Sequence, residues 1–123
     1  MALFPALYRR NYRKTGPVPG IAAAPPLSLA AEFDGDVAAL PNEYVAGCTL
    51  GNCVVRAAVG PAHDLMLSRP DSLEENAAVA LIALSREGCL LNGQTVRLNR
   101  IALRAYLGEA LYKPSEAAQL SKP

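Results

Sequence analysis

The clearest helical pattern in the chain lies over residues 72–86. Ser72 and Glu75 have the spacing of a capping box, in which a hydroxyl and a carboxylate each accept a hydrogen bond from a backbone N–H at the helix start. At about 100° per residue, one face of this helix collects the apolar residues Leu73, Ala77, Ala80, Leu81 and Leu84. Val79 and Ile82 lie on the other side, so the helix is apolar nearly all round and should be buried nearly all round. In so small a domain, this predicts burial against another chain.

A second helix is predicted over residues 99–112. Asn99 can cap its start, and Pro114 is expected to stop it because proline cannot continue a helix. The residues beyond, 115–123, are predicted to form a flexible tail. Before this helix, Asn92-Gly93 indicates a turn that either joins two short strands or caps a longer helix.

Residues 43–59 have the pattern of a β-hairpin. Two apolar runs, 43–48 and 53–59, flank a turn that contains Gly51 and Asn52, and both of these residues tolerate the positive φ of a tight turn. A short helix is predicted over 61–67, since proline suits the first turn of a helix.

The N-terminal segment, residues 1–31, is predicted to be an extended arm. It contains no acidic residue, and four prolines between positions 17 and 26 oppose a long helix. Apolar and aromatic side chains alternate with a basic cluster in its first half. These are predicted to bind a partner: Leu3, Phe4, Leu7, Tyr8, Arg9, Arg10, Tyr12, Arg13 and Lys14.

The elements together predict an α+β fold, with an extended N-terminal arm, a small β-hairpin or sheet, and two main C-terminal helices. The expected organisation is an arm over 1–31, a single α+β domain over 32–114, and a flexible tail over 115–123. The 123 residues are 51% hydrophobic, which suffices for one core. No stretch approaches the roughly 18 apolar residues of a membrane span.

Charge is unevenly distributed, although the net charge is only +1. The arm is basic, whereas residues 15–55 contain no Lys or Arg and carry four acidic residues: Glu32, Asp34, Asp36 and Glu43. Such a dipolar chain can associate head to tail. The alternative is a charged tail followed by a solvated acidic loop.

Candidate chemistry is sparse. The chain has an odd number of cysteines, at positions 48, 53 and 89. At the N-terminus the positive charges follow the apolar residues, whereas in a secretory signal they precede them, so we expect reduced thiols. A zinc site usually takes its ligands from two closely spaced pairs of Cys or His residues, and neither His63, the one histidine, nor Cys89 belongs to such a pair. His63 and Asp64 lack a recognisable nucleophile, and residues 32–36 lack the later ligands of a calcium loop. We therefore expect no catalytic residue, no cofactor and no metal.

Residues 53–112 are similar in layout to the tail-assembly chaperones of tailed bacteriophages. The shared features are an apolar strand at Cys53–Val59, a helix from Ser72, the Asn92-Gly93 turn and a final Leu/Arg helix. The arm departs from that layout and resembles small structural proteins of phage particles. The resemblance implies a non-enzymatic assembly component, cytoplasmic or within a virion, that contacts further copies of itself or other subunits. The alternatives are a tail-assembly chaperone, or a nucleic-acid-binding protein that uses the basic arm.

Overall fold

A computed structural model describes residues 3–21, 42–89 and 99–120 of the chain. Within these ranges the chain forms five α-helices and a short 3₁₀ turn, without any strand. The elements are α1 (Leu3–Tyr12), α2 (Asn42–Ala57), α3 (Val59–Leu67), α4 (Leu73–Arg86), the 3₁₀ turn (Glu87–Cys89) and α5 (Arg100–Leu120). The predicted α+β fold class is therefore wrong, because the described part of the chain is all-α.

Helix α2 replaces the predicted hairpin. The first apolar run, the expected turn and residues 53–57 of the second run belong to this one helix, and Val59 begins α3. Gly47 and Gly51 lie one turn apart on its face toward α5, where a Cβ on Gly51 would come within 2.9 Å of the Tyr106 carbonyl oxygen. A Cβ on Gly47 would overlap the Tyr106 ring. The glycines therefore allow α2 and α5 to pack closely and do not form a turn. Because α2 and α5 are far apart in the sequence, the local pattern did not predict this contact.

Helix α1 replaces the first part of the predicted extended arm. Pro5 is tolerated because it lies in the first turn, where its missing N–H has no helical partner. Tyr8 and Tyr12, one turn apart, stack with ring centroids 5.0 Å apart and are both buried. Gly16 follows the helix with φ +73°, and its N–H donates to the Tyr12 carbonyl. Residues 22–41, which include the predicted boundary between 31 and 32, lie outside the described residues.

The starts of α4 and α5 agree with the sequence patterns. The Ser72 hydroxyl accepts a hydrogen bond from the Glu75 N–H at 3.1 Å, which confirms the first half of the capping box. The Glu75 carboxylate accepts from the Asp71 N–H at 3.0 Å instead of from Ser72. The Asn99 side chain accepts from the Ala102 N–H at 2.8 Å, as a helix cap does. The short helix predicted over 61–67 is present as α3.

Helix α5 does not stop at Pro114, and the prediction of its end is wrong. It continues to Leu120 with the proline inside the helix. Tyr112 before the proline and Ala118 after it pack against the core. This packing offsets the roughly 3 kcal/mol that an interior proline costs a helix. Residues 121–123 of the predicted tail lie outside the described residues.

The core lies around α5, which packs against α1, α2 and α3, while α4 packs against α3 and α2. Its members include Tyr8, Tyr12, Leu50, Val54, Leu65, Met66, Ile82, Leu107 and Leu111. Gly108 permits the contact with α1, since a Cβ there would lie 2.9 Å from Pro5. None of the helices in the described ranges has the length and hydropathy needed to cross a bilayer.

A disulfide joins Cys53 of α2 to Cys89 of the 3₁₀ turn. The expectation of reduced thiols is therefore wrong for these two cysteines, whose Cα atoms are 5.7 Å apart, and holds only for Cys48. The Asn92-Gly93 turn and the acidic residues at 32–36 fall outside the described residues.

Candidate interaction surfaces

Helix α4 presents an apolar surface on the side that faces away from its own body. Leu73 is 82% exposed and Leu84 is 79% exposed. Between them on the same side lie three more exposed apolar residues, and we call the set the α4 face: Leu73, Ala77, Ala80, Leu81 and Leu84. The opposite side of the helix is buried through Glu75, Ala78 and Ile82. The sequence pattern predicted burial of both sides, and the chain itself buries only one.

A groove of about 380 Å³ runs beside the α4 face, between α3 and α4. Its lining includes Leu67 and Ala78, with the carboxylates of Asp64 and Glu74 at its edges. The apolar α4 face is thus bordered by acidic side chains on its α3 side.

A buried ion cluster holds α4 against α5. Both Arg104 and Arg100 donate to the Glu75 carboxylate, at 2.9 and 3.0 Å. Arg104 also donates to the carbonyl and the hydroxyl of Ser68, each at 2.9 Å. Burial alone would raise the pKa of Glu75, but the Asp71 N–H and the two guanidinium groups lower that pKa to about 2. The carboxylate is therefore charged at neutral pH and fixes the orientation of α4.

A basic groove lies at the other end of the chain. It has a volume of about 540 Å³ and is lined by Arg9, Arg10, Asn11, Arg13, Lys14 and Thr15. Arg9 and Arg13 are one helical turn apart, as are Arg10 and Lys14, so the cations gather on the last turn of α1 and the residues that follow it. Asn11 donates to the Glu116 carboxylate at 2.6 Å, which ties this end of α1 to α5.

The structure separates the nine predicted partner-binding residues into different environments. Tyr8 and Tyr12 are buried in the chain's own core, so neither is available to a partner. Phe4 packs 6.0 Å from the Tyr112 ring, measured between centroids. Leu7 is half-buried, and Leu3 is 60% exposed. The remaining four residues are the cations that line the basic groove.

His63 makes a buried contact with Tyr8. The Tyr8 hydroxyl lies 2.6 Å from His63 Nδ1 in the buried core. Burial lowers the pKa of His63, against the opposite effect of neighbouring Asp64. In the neutral tautomer that carries its proton on Nε2, Nδ1 accepts a hydrogen bond from the Tyr8 hydroxyl, and this is the tautomer we expect.

Cys48 belongs to a second polar cluster that the sequence pattern did not reveal. Its thiol lies 3.5 Å from Glu109, which also accepts from the Tyr44 hydroxyl at 2.9 Å and from Lys113 at 2.6 Å. Burial raises the pKa of the Cys48 thiol to about 11, and Glu109 adds to this effect against the lowering by Tyr44. A thiol that stays protonated is a poor nucleophile. The only available signal was the Glu109–Lys113 spacing of one helical turn.

Across residues 3–21, 42–89 and 99–120, no three metal-ligating side chains come together. Comparisons of the chain with protein-family models, curated proteins and solved structures find no match. Function is therefore inferred from the α4 face and the basic groove themselves.

Proposed function

We propose that this chain is a non-enzymatic assembly component that associates with a second copy of itself through the α4 face. The observation that carries the proposal is the exposure of Leu73 and Leu84 on a helix whose other side is already buried. Burying a leucine side chain contributes about 1.5–3 kcal/mol. An apolar helix face of this kind is typical of a surface that another helix covers.

The spacing of the α4 face favours a second copy as the occupant. Four of its five residues, Leu73, Ala77, Ala80 and Leu84, are separated by four, three and four positions, so this stripe is the same in both directions, while Leu81 lies beside it on the side of the α3 groove. A two-fold interface uses the same patch on both chains and must be self-complementary. In an antiparallel pair of α4 helices, Leu73 meets Leu84 of the second copy, and Ala77 meets Ala80. The alanines at the centre permit close approach, and the helix dipoles oppose each other favourably.

The resemblance to phage tail-assembly chaperones does not support this proposal. That layout includes a strand over 53–59, but residues 53–57 belong to helix α2 and Val59 begins α3. The proposal depends on the α4 face alone, and the virion setting expected from the sequence stays a prediction.

The test is the native mass of the chain over a range of concentrations, measured by sedimentation equilibrium. We expect a mass of twice 13.0 kDa at high concentration. Leu84→Glu should lower the association constant more than tenfold, because every dimer would contain two buried carboxylates. Leu3→Glu is the matched control, since it makes the same change at an exposed leucine on another helix. Circular dichroism should show that both variants remain folded.

Two results would contradict the proposal. One is a monomer at all concentrations. The other is a dimer that Leu3→Glu disrupts and Leu84→Glu does not, which would place the interface at the N-terminal segment. The antiparallel register has its own test: a chain with Ala77→Cys should cross-link to a chain with Ala80→Cys more readily than either variant does to itself.

A further inference from the structure

We propose that the basic groove binds the phosphodiester backbone of nucleic acid. Four cations within six consecutive residues line one open groove of about 540 Å³. This surface is formed by α1 and the residues after it, whereas the proposed self-association uses α4. The two proposals therefore depend on different residues and are tested independently.

Three of the four cations of the groove form no ion pair within the described residues, and the fourth, Arg10, donates to the side chain of Asn11. Arg9, Arg13 and Lys14 contact no carboxylate among the residues that the structure describes. Elsewhere in those residues Arg100, Arg104 and Lys113 are paired with glutamates, whereas Arg56 and Arg69 form no ion pair there and are not grouped with other cations. Like charges one helical turn apart destabilise a helix by a few tenths of a kcal/mol per pair. An external anion would relieve this repulsion.

The groove is held in shape before any ligand binds. Tyr8 and Tyr12 anchor α1 in the core. Asn11 donates a hydrogen bond to Glu116 of α5. The segment that follows the groove is held by Val18 and Ile21, whose side chains are buried in the core. A ligand therefore does not have to order the backbone that carries the cations, which reduces the entropic cost of binding.

The composition of the groove favours phosphate over an acidic protein. Three of its four cations are arginines, whose planar guanidinium groups match phosphate oxygens in pairs. The other lining residues, Asn11 and Thr15, are polar, so the groove offers no apolar pocket for the side chain of a peptide. Tyr8 and Tyr12 face the core, which leaves no aromatic platform for bases. We therefore expect contacts to the backbone without sequence preference.

The experiment is a salt titration of binding to a fluorescent 20-base-pair duplex of random sequence, followed by anisotropy. Four phosphate contacts predict a log–log slope of roughly −3 to −4, or about a hundredfold loss of affinity between 50 and 200 mM salt. Arg13→Gln with Lys14→Gln should reduce the slope by about 2, to a loss of about tenfold. Arg56→Gln with Arg69→Gln is the matched control, because it removes the same charge from two exposed positions outside the groove.

Three results would overturn this inference. A flat salt dependence would exclude phosphate contacts. Equal losses in the groove variant and the control would indicate that net charge alone drives binding. Competition by polyglutamate as effective as that by unlabelled DNA would indicate an acidic protein as the ligand. Thermal melting should show that both double variants are folded, and Leu84→Glu should retain the salt slope of the unmodified chain.

Discussion

Arg104 of α5 donates from Nε to the Glu75 carboxylate at 2.9 Å, at a site where the Glu75 side chain is 2% exposed. The same guanidinium group also bonds to Ser68, just beyond the end of α3. One arginine thus joins three helices, and its carboxylate partner also caps α4 through the Asp71 N–H. The orientation of the α4 face depends on this cluster.

Replacing Arg104 should destabilise the protein strongly. Arg104→Met leaves the Glu75 carboxylate buried with Arg100 as its only cationic partner, and we expect a loss of about 3–5 kcal/mol in the free energy of unfolding. Arg100→Met should cost about 0–1 kcal/mol, because the Arg100 side chain is 47% exposed. Urea unfolding of both variants checks the difference. If the double variant Glu75→Met with Arg104→Met is as unstable as Arg104→Met alone, the buried charge is not the cause.

Protonation of the buried Glu75 carboxylate should lower the free energy of unfolding in acid. The pKa of Glu75 is lowered from 4.5 to about 2 in the folded chain, so its contribution is complete above pH 4.5 and disappears as the pH falls toward 2. Between pH 5 and pH 2.5 this amounts to a loss on the order of 2 to 3 kcal/mol. Other carboxylates titrate in this range as well. The measurement is therefore the difference between the unmodified chain and Glu75→Gln, which should lack this part of the pH dependence.

Two glycine-to-alanine substitutions should change stability in opposite directions. In a helix interior this change normally stabilises by about 1 kcal/mol. Gly60→Ala, where nothing lies within 4 Å of the new Cβ, should stabilise by less than this, because Gly60 is in the first turn of α3 and precedes Pro61. Gly51→Ala should instead destabilise by about 1–3 kcal/mol, because its Cβ meets the backbone of Tyr106 at 2.9 Å and one helix must shift. Thermal melts of the two variants give the comparison. Stabilisation by Gly51→Ala would contradict the close packing of α2 and α5.

Reduction of the disulfide should destabilise the protein without unfolding α4. Cys53 and Cys89 are 36 residues apart, and closing a loop of that length restricts the unfolded chain by about 4 kcal/mol. The loss measured on adding reductant should approach that value, and Cys53→Ser with Cys89→Ser should no longer respond to reductant. Thiol counting in denaturant without reductant should give one free thiol, from Cys48. A count of three would contradict the pairing.

Local signals predicted the start of α4 and of α5 from sequence. Ser72 and Asn99 cap helices through bonds to residues three positions later, so their side chains and spacing carry the whole signal. The division of α4 into two apolar sides was also visible in its periodicity. Which side the chain buries was not, because that depends on α2 and α3 packing against it.

Contacts between residues that are distant in sequence determine three features that the local pattern left open: the structure of residues 53–59, the partner of Glu75 and the pairing of the cysteines. The apolar run over 53–59 suits a buried strand and a buried helix equally. In the structure the helix allows Gly51 to pack closely on Tyr106, which is 55 positions away in the chain. Similarly, the capping pattern identified Glu75, but not its partner Arg104, which is 29 residues away. Three cysteines allow three pairings, and only the fold brings Cys53 to Cys89.

The contact between Tyr8 and His63 should control the titration of the histidine. His63 is the one histidine of the chain, so its ring resonances are assigned without ambiguity. Its pKa lies below 6.5 because of burial, and its contribution to stability is therefore present above pH 6.5 and lost as the pH falls through the lowered value. NMR should show a neutral ring at pH 6.5, with Nδ1 unprotonated and accepting from Tyr8.

Tyr8→Phe removes the hydroxyl that stabilises the neutral ring. We expect the pKa of His63 to rise toward 6.5 and the free energy of unfolding to fall by about 1–3 kcal/mol, because Nδ1 loses its buried donor. Tyr44→Phe is the matched control, since it removes a phenol that bonds to Glu109 and should leave the His63 titration unchanged. If His63 titrates near 6.5 in the unmodified chain, α1 is not docked through Tyr8. Both phenol variants can be measured on the same pH series, so a shift confined to Tyr8→Phe would locate the effect at this one hydrogen bond.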